Sequence, residues 1–100
     1  MSTAEARTAT LRALDLLEAL CGFAIRGASN AELAAATGSA PHHVTRDIAH
    51  LIAKGWAKKD EATGRFHPTS AFSRLAFRVL AELDAAQQRL DDRRRALTGA

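Results

Sequence analysis

The sequence predicts a mainly helical fold: three short helices forming a core, a two-stranded β-hairpin after them, and one long helix at the end. Three observations carry that expectation. Of 100 residues, 23 are Ala and 12 are Leu, whereas Ile and Val together number five and Tyr is absent, a bias toward helix and away from sheet. Apolar residues recur at spacings of three and four over most of the chain. Glycines at 22, 38 and 55 fall where these periodic runs stop.

Residues 10–21 form the first expected helix, with Leu11, Leu14, Leu17 and Cys21 along one stripe and Leu20 beside it. Ser29 opens the second, because its hydroxyl can cap while Glu32, three residues on, reaches back to its amide. This helix stops at Gly38. Ser39 is the expected cap of the third, with Pro41 tolerated in the first turn, where its missing N–H has no partner to lose. Val44, Ile48, Leu51 and Ile52 supply the buried stripe, and Gly55 ends it. The period then shortens: Trp56–Ala57–Lys58–Lys59 and Arg65–Phe66–His67 read as strands joined by Asp60–Glu61–Ala62–Thr63–Gly64 and closed by Pro68. Thr69 or Ser70 begins a long helix running to Leu97. The domain boundaries that follow are 8–70 for the three helices and hairpin, and 71–98 for the last helix.

The core expected from these elements is small. About half of the apolar residues, which make up 47% of the chain, are alanine, and a domain of this size buries only about two thirds of its unfolded surface. A second chain is expected to add burial. Large enzymes with separate substrate and cofactor domains are excluded by length. No Ser/His/Asp or Cys/His arrangement and no glycine-rich phosphate loop is present, so the protein is not expected to be an enzyme and no cofactor is expected. Cys21, the only cysteine, reads as an inert core residue. The adjacent His42 and His43 point about 100° apart on a helix and converge with no carboxylate or cysteine cluster, so no metal site is expected. Residues 1–7 hold Glu5 and no apolar run, and no segment approaches about 20 apolar residues. The expectation is a cytoplasmic protein without a membrane partner.

Charge locates the function. The net charge of +3 is mild, but residues 39–78 carry Arg46, Lys54, Lys58, Lys59, Arg65, Arg74 and Arg78 against Asp47, Asp60 and Glu61, with all four histidines. A localised basic region is the footprint of a polyanion partner. Within it, Ala34 is small enough for a second helix to cross closely, Gly38 accepts a left-handed turn four residues later, and Val44 anchors the next helix six residues further on. This is the spacing of a helix-turn-helix, and the basic hairpin after it makes a winged helix-turn-helix. On the third helix, His42, Arg46, Ala49 and Ala53 lie opposite Val44, flanked by His43 and His50. That stripe is polar and then methyl-sized, as suits a major groove. Arg46 is the first candidate for a base contact. His42, His43, Thr45 and His50 are further candidates, Ser39 is a candidate for a phosphate at the helix N-terminus, and Lys58, Lys59 and Arg65 are candidates on the wing. Protonated histidines would strengthen DNA binding at mildly acid pH.

Residues 11–72, through the stretches TLRALDLLEAL, SNAELAAATGSAPHHVTRDIAHLIAKGW and KKDEATGRFHPTSAF, resemble the winged helix-turn-helix domain of IclR-type bacterial transcription regulators. MarR-type regulators share the general pattern, but the leucine-rich opening and GRFHPTSAF look more like IclR. The resemblance implies a sequence-specific double-stranded DNA-binding protein that regulates transcription by occlusion or recruitment at a promoter. It does not extend to the effector-binding domain that such regulators carry, so no small-molecule effector is expected. Asp47 departs from the pattern, standing where an aliphatic residue is usual, with Ile48 expected to take the buried role. The alternative function is a winged-helix interaction or assembly module, an accessory factor in a larger nucleoprotein complex.

In the last helix Phe72, Ala76, Val79, Leu83, Ala86 and Leu90 follow alternating spacings of four and three, interrupted at Arg93 and resumed at Leu97, the seam of a coiled coil. This predicts a homodimer. The competing expectation is that Phe72, Leu75, Phe77 and Val79 fold back over the core.

Overall fold

In the computed structural model, which describes residues 8–99, the order is α1 (Ala9–Cys21), α2 (Asn30–Thr37), α3 (Pro41–Lys54), β1 (Ala57–Lys59), β2 (Phe66–Pro68) and α4 (Ser70–Thr98). The described residues are mainly helical, with four helices and one two-stranded antiparallel sheet. They fall into two compact units that part after Ser70.

Thr8 caps α1, its hydroxyl accepting from the Leu11 amide at 3.2 Å. The face that α1 buries is Leu16, Leu17 and Leu20. Leu11 and Leu14, expected in the stripe, are about half exposed, and Cys21 is only half-buried. The leucine-rich run contains two overlapping helical stripes, and spacing alone does not say which one the rest of the chain covers.

Ser29 and Glu32 close the expected capping box of α2: the Ser29 hydroxyl accepts from the Glu32 amide at 3.1 Å, and Glu32 Oε1 accepts from the Ser29 amide at 3.0 Å. Gly38 ends α2 at φ 72°, its N–H donating to Ala34 O, a left-handed conformation that a side chain would strain. The start of α3 corrects one expectation. Its cap is Ala40, with no side-chain hydrogen bond, and Pro41 takes the first helical position. Ser39 lies one residue too early to cap and instead donates its amide to the Thr37 hydroxyl at 3.3 Å.

The buried face of α3 is Val44, Asp47, Ile48 and Leu51, while Ile52, expected in that stripe, is exposed. Asp47 therefore does not yield its place to Ile48; both are buried. Asp47, 2% exposed, receives the Arg12 guanidinium, Nε to Oδ2 at 3.4 Å, and its Oδ1 makes no hydrogen bond among the described residues. This pair fastens α1 to α3. Leu16, Leu17, Leu20, Ala28, Leu33, Val44, Ile48, Leu51 and Ala57 form the core, with Trp56 and Phe66 packed against it.

The hairpin pairs Ala57 with Pro68, Lys58 with His67 and Lys59 with Phe66. The second strand thus begins one residue later than expected and includes Pro68. Phe66 also exchanges both backbone hydrogen bonds with Ala28, at 2.8 and 2.9 Å. This single-residue bridge, which the sequence pattern did not suggest, ties the hairpin to the segment between α1 and α2. Close packing there requires Gly27, at φ 75°, because a Cβ would stand 2.6 Å from His67 Nε2.

α4 contains no buried residue. Its polar faces are laced by contacts one turn apart, Gln87 to Asp91 at 3.0 Å, Gln88 to Asp92 at 2.9 Å, and Arg95 to Asp92, which support an exposed helix. No helix among the described residues is long and apolar enough to cross a membrane.

Candidate nucleic-acid interface

The site is built on α3 because its inner face is fully committed. With Val44, Asp47, Ile48 and Leu51 turned to the core, a step of about 100° per residue leaves His42, Arg46, Ala49, His50 and Ala53 outside, and all five are exposed. The Arg46 side chain makes no ion pair or hydrogen bond within the described residues. Ala49 and Ala53 keep the surface beside it low.

His42 and His43 meet edge to face with ring centroids 4.2 Å apart. His43 is half-buried, and burial together with the Arg12, His42 and Arg46 charges lowers its pKa below the usual 6.5, with Asp47 acting in the opposite direction. A lowered pKa keeps His43 neutral at pH 7, so any gain in positive charge from this residue comes at lower pH than for a free imidazole.

Thr45 is exposed, but its hydroxyl is in use: it accepts from Asn30 Nδ2 at 2.8 Å and donates to Pro41 O at 3.1 Å. Sequence reasoning missed Asn30, whose side chain links the first turn of α2 to the first turn of α3 and so fixes their crossing. Nothing marks it beyond a place next to Ser29. Ser39 is half-exposed just ahead of α3.

On the hairpin the candidates separate. Lys58 and Lys59 are exposed, with the Lys59 ammonium 6.0 Å from the centre of the Phe66 ring. Arg65 turns inward. Its Nε donates to Arg26 O at 3.1 Å and to Gly27 O at 3.2 Å, and its Nη2 pairs with Glu32 Oε1. Arg26 holds the other Glu32 oxygen at 2.6 Å. The Ser29 amide first, and the Arg26 hydrogen bond second, pull Glu32 from 4.5 down to about 2. Arg65 thus braces the base of the hairpin against α2. The hairpin turn is closed by Asp60, whose amide donates to Arg65 O at 2.8 Å and whose carboxylate accepts from the Ala62 amide at 2.9 Å.

On α4, Phe72, Ala76, Val79, Leu83 and Leu90 are exposed and Ala86 is half-exposed. Among the described residues no group of three or more His, Cys, Asp or Glu side chains is placed to hold a metal ion. Comparison of the chain with protein families, with curated proteins and with solved structures finds no match.

Proposed function

We propose that residues 8–70 are a winged helix-turn-helix of the IclR type that binds double-stranded DNA in a sequence-specific manner and regulates transcription. In this reading α3 lies in the major groove and the β1–β2 hairpin rests on the adjacent backbone. The observation that carries it is the outward face of α3: Arg46, a cation whose side chain has no partner among the described residues, flanked by three histidines and two alanines, on a helix whose opposite face is locked into the core. Rigid presentation of that kind is what groove reading needs, because a side chain held by its helix loses little freedom on binding. Arg46 is the base-reading residue and His42, His43 and His50 flank it. Ser39, Lys58 and Lys59 supply phosphate contacts. Thr45 offers its methyl group, since its hydroxyl holds α2 to α3.

One observation favours the second reading, an interaction or assembly module. The hairpin turn carries Asp60 and Glu61, both exposed, and with Arg65 turned inward the wing presents two lysines beside two carboxylates. A wing of that balance suits a protein surface as well as a phosphate backbone. Selection from a random double-stranded DNA pool distinguishes the two. DNA binding predicts enrichment of a single motif that the Arg46→Ala variant does not enrich. A pool that stays random after repeated rounds at low salt removes the regulator reading.

A further inference from the structure

The exposed seam of α4 carries a charge pattern as well as an apolar one, and the charges select an orientation. Val79, Leu83 and Leu90 are 62%, 61% and 63% exposed, on a helix of 29 residues that is about 43 Å long. Glu82 and Arg89 lie seven residues apart on one edge of this seam, their charged groups 3.9 Å apart at closest and each side chain at least two-thirds exposed. Arg94 lies on the other edge, and Arg93 interrupts the seam itself.

We propose that a second copy of this chain docks along the seam antiparallel, with Val79 of one copy against Leu90 of the other and Leu83 against Ala86. A parallel pair sets each seam residue against its own counterpart, so Arg93 faces Arg93 between the helices. It also brings Arg89 to Arg94 of the other copy, twice by symmetry. Each is a like-charge contact, and edge charges are what set orientation in coiled coils. The antiparallel pair replaces all of these. Arg93 falls opposite Ala76, which is small enough to let the guanidinium reach solvent along its stem, and Phe72 meets Leu97. Glu82 of each copy meets Arg89 of the other, giving two attractive contacts where the parallel pair has none. The opposed helix dipoles act in the same direction. The two Ser70 ends then stand at opposite ends of the paired helices, about 44 Å apart along the axis.

The inference rests on self-association through α4 and is independent of DNA binding. The full-length chain with Cys21→Ala, which removes its only cysteine, provides the background for two single variants, Val79→Cys and Leu90→Cys. They are refolded separately and as an equimolar mixture, then oxidised. The expected product is a mixed disulfide between the two variants, with little self-linkage, because identical positions are about 16 Å apart along the axis in the antiparallel pair. Efficient self-linkage of Val79→Cys overturns the orientation. A wild-type chain that sediments as a monomer at 100 µM (about the upper range at which such an assay is run), with no disulfide in any mixture, overturns the second copy altogether. A monomer that still binds DNA leaves the proposed function standing, and an antiparallel dimer without DNA affinity removes that function while keeping the pairing.

Discussion

Leu16, Leu20, Leu33 and Val44 in the first unit are at most 2% exposed, whereas Val79, Leu83 and Leu90 in α4 are 61–63% exposed. The residue types are the same and their helical spacing is the same. What differs is cover. In residues 8–70 three helices and a hairpin approach from different directions and are pinned at three places by polar contacts: Arg12 to Asp47, Asn30 to Thr45, and Arg65 to Glu32. α4 has one axis, and the polar contacts along its second half, from Gln87 to Asp91, Gln88 to Asp92 and Arg95 to Asp92, lie within its own turns. A single exposed helix draws limited stability from its own hydrogen bonds, so the proposed pairing would add order to α4, whereas the first unit has a buried core of its own.

The largest effect is expected at the buried pair. Arg12→Ala leaves the Asp47 carboxylate buried without a counter-charge, and loss of one partner of such a pair costs about 3–5 kcal/mol. Urea unfolding followed by Trp56 fluorescence is expected to show that loss, and Arg12→Met with Asp47→Leu to recover most of it. An Arg12→Ala midpoint equal to wild type means the pair is not what fastens α1 to α3.

Leu83→Asp sharpens the contrast. It places a carboxylate in the seam of α4, so helix content measured by circular dichroism should become lower and lose its dependence on protein concentration. The unfolding free energy read from Trp56 is expected to change by less than about 0.5 kcal/mol, as for an exposed position in the other unit. Equal losses in both signals would show that the two units are not independent.

The smallest expected effect is on pH dependence. Glu32 is held at about 2 instead of 4.5, so the folded state binds its proton less readily than the unfolded chain does. Its contribution is complete above pH 4.5, and it is lost as pH falls toward 2. Glu32→Gln should flatten the fall in stability between those values; an unchanged acid limb would assign that fall to other carboxylates.

The legible parts of the fold are those specified by neighbouring residues. Ser29 with Glu32, Gly38 four residues after Ala34, and Pro41 at a helix start each act over a few positions, and the structure has all three. The features that escaped act across the chain. Asp47 is buried because Arg12, 35 residues earlier, reaches it. Arg65 turns inward because Glu32 and the Arg26 and Gly27 carbonyls await it, and a basic residue on a hairpin carries no sign of that. The Ala28 to Phe66 bridge is a single residue pair, too short for any alternation to announce it. In the candidate site the exposure of Arg46, His42 and His50 was readable from one helical period, while the engagement of Thr45 by Asn30 was not.

Binding of DNA by the outward face of α3 is read directly from anisotropy titration of a labelled duplex at several salt concentrations with wild type and Arg46→Ala. Wild type is expected to bind at low salt with log affinity falling linearly in log salt. Arg46→Ala should weaken binding to a preferred sequence by about 1–3 kcal/mol while leaving the Trp56 unfolding midpoint unchanged. No binding at low salt, or equal affinity of the two proteins for every duplex tried, would show that this face does not read DNA.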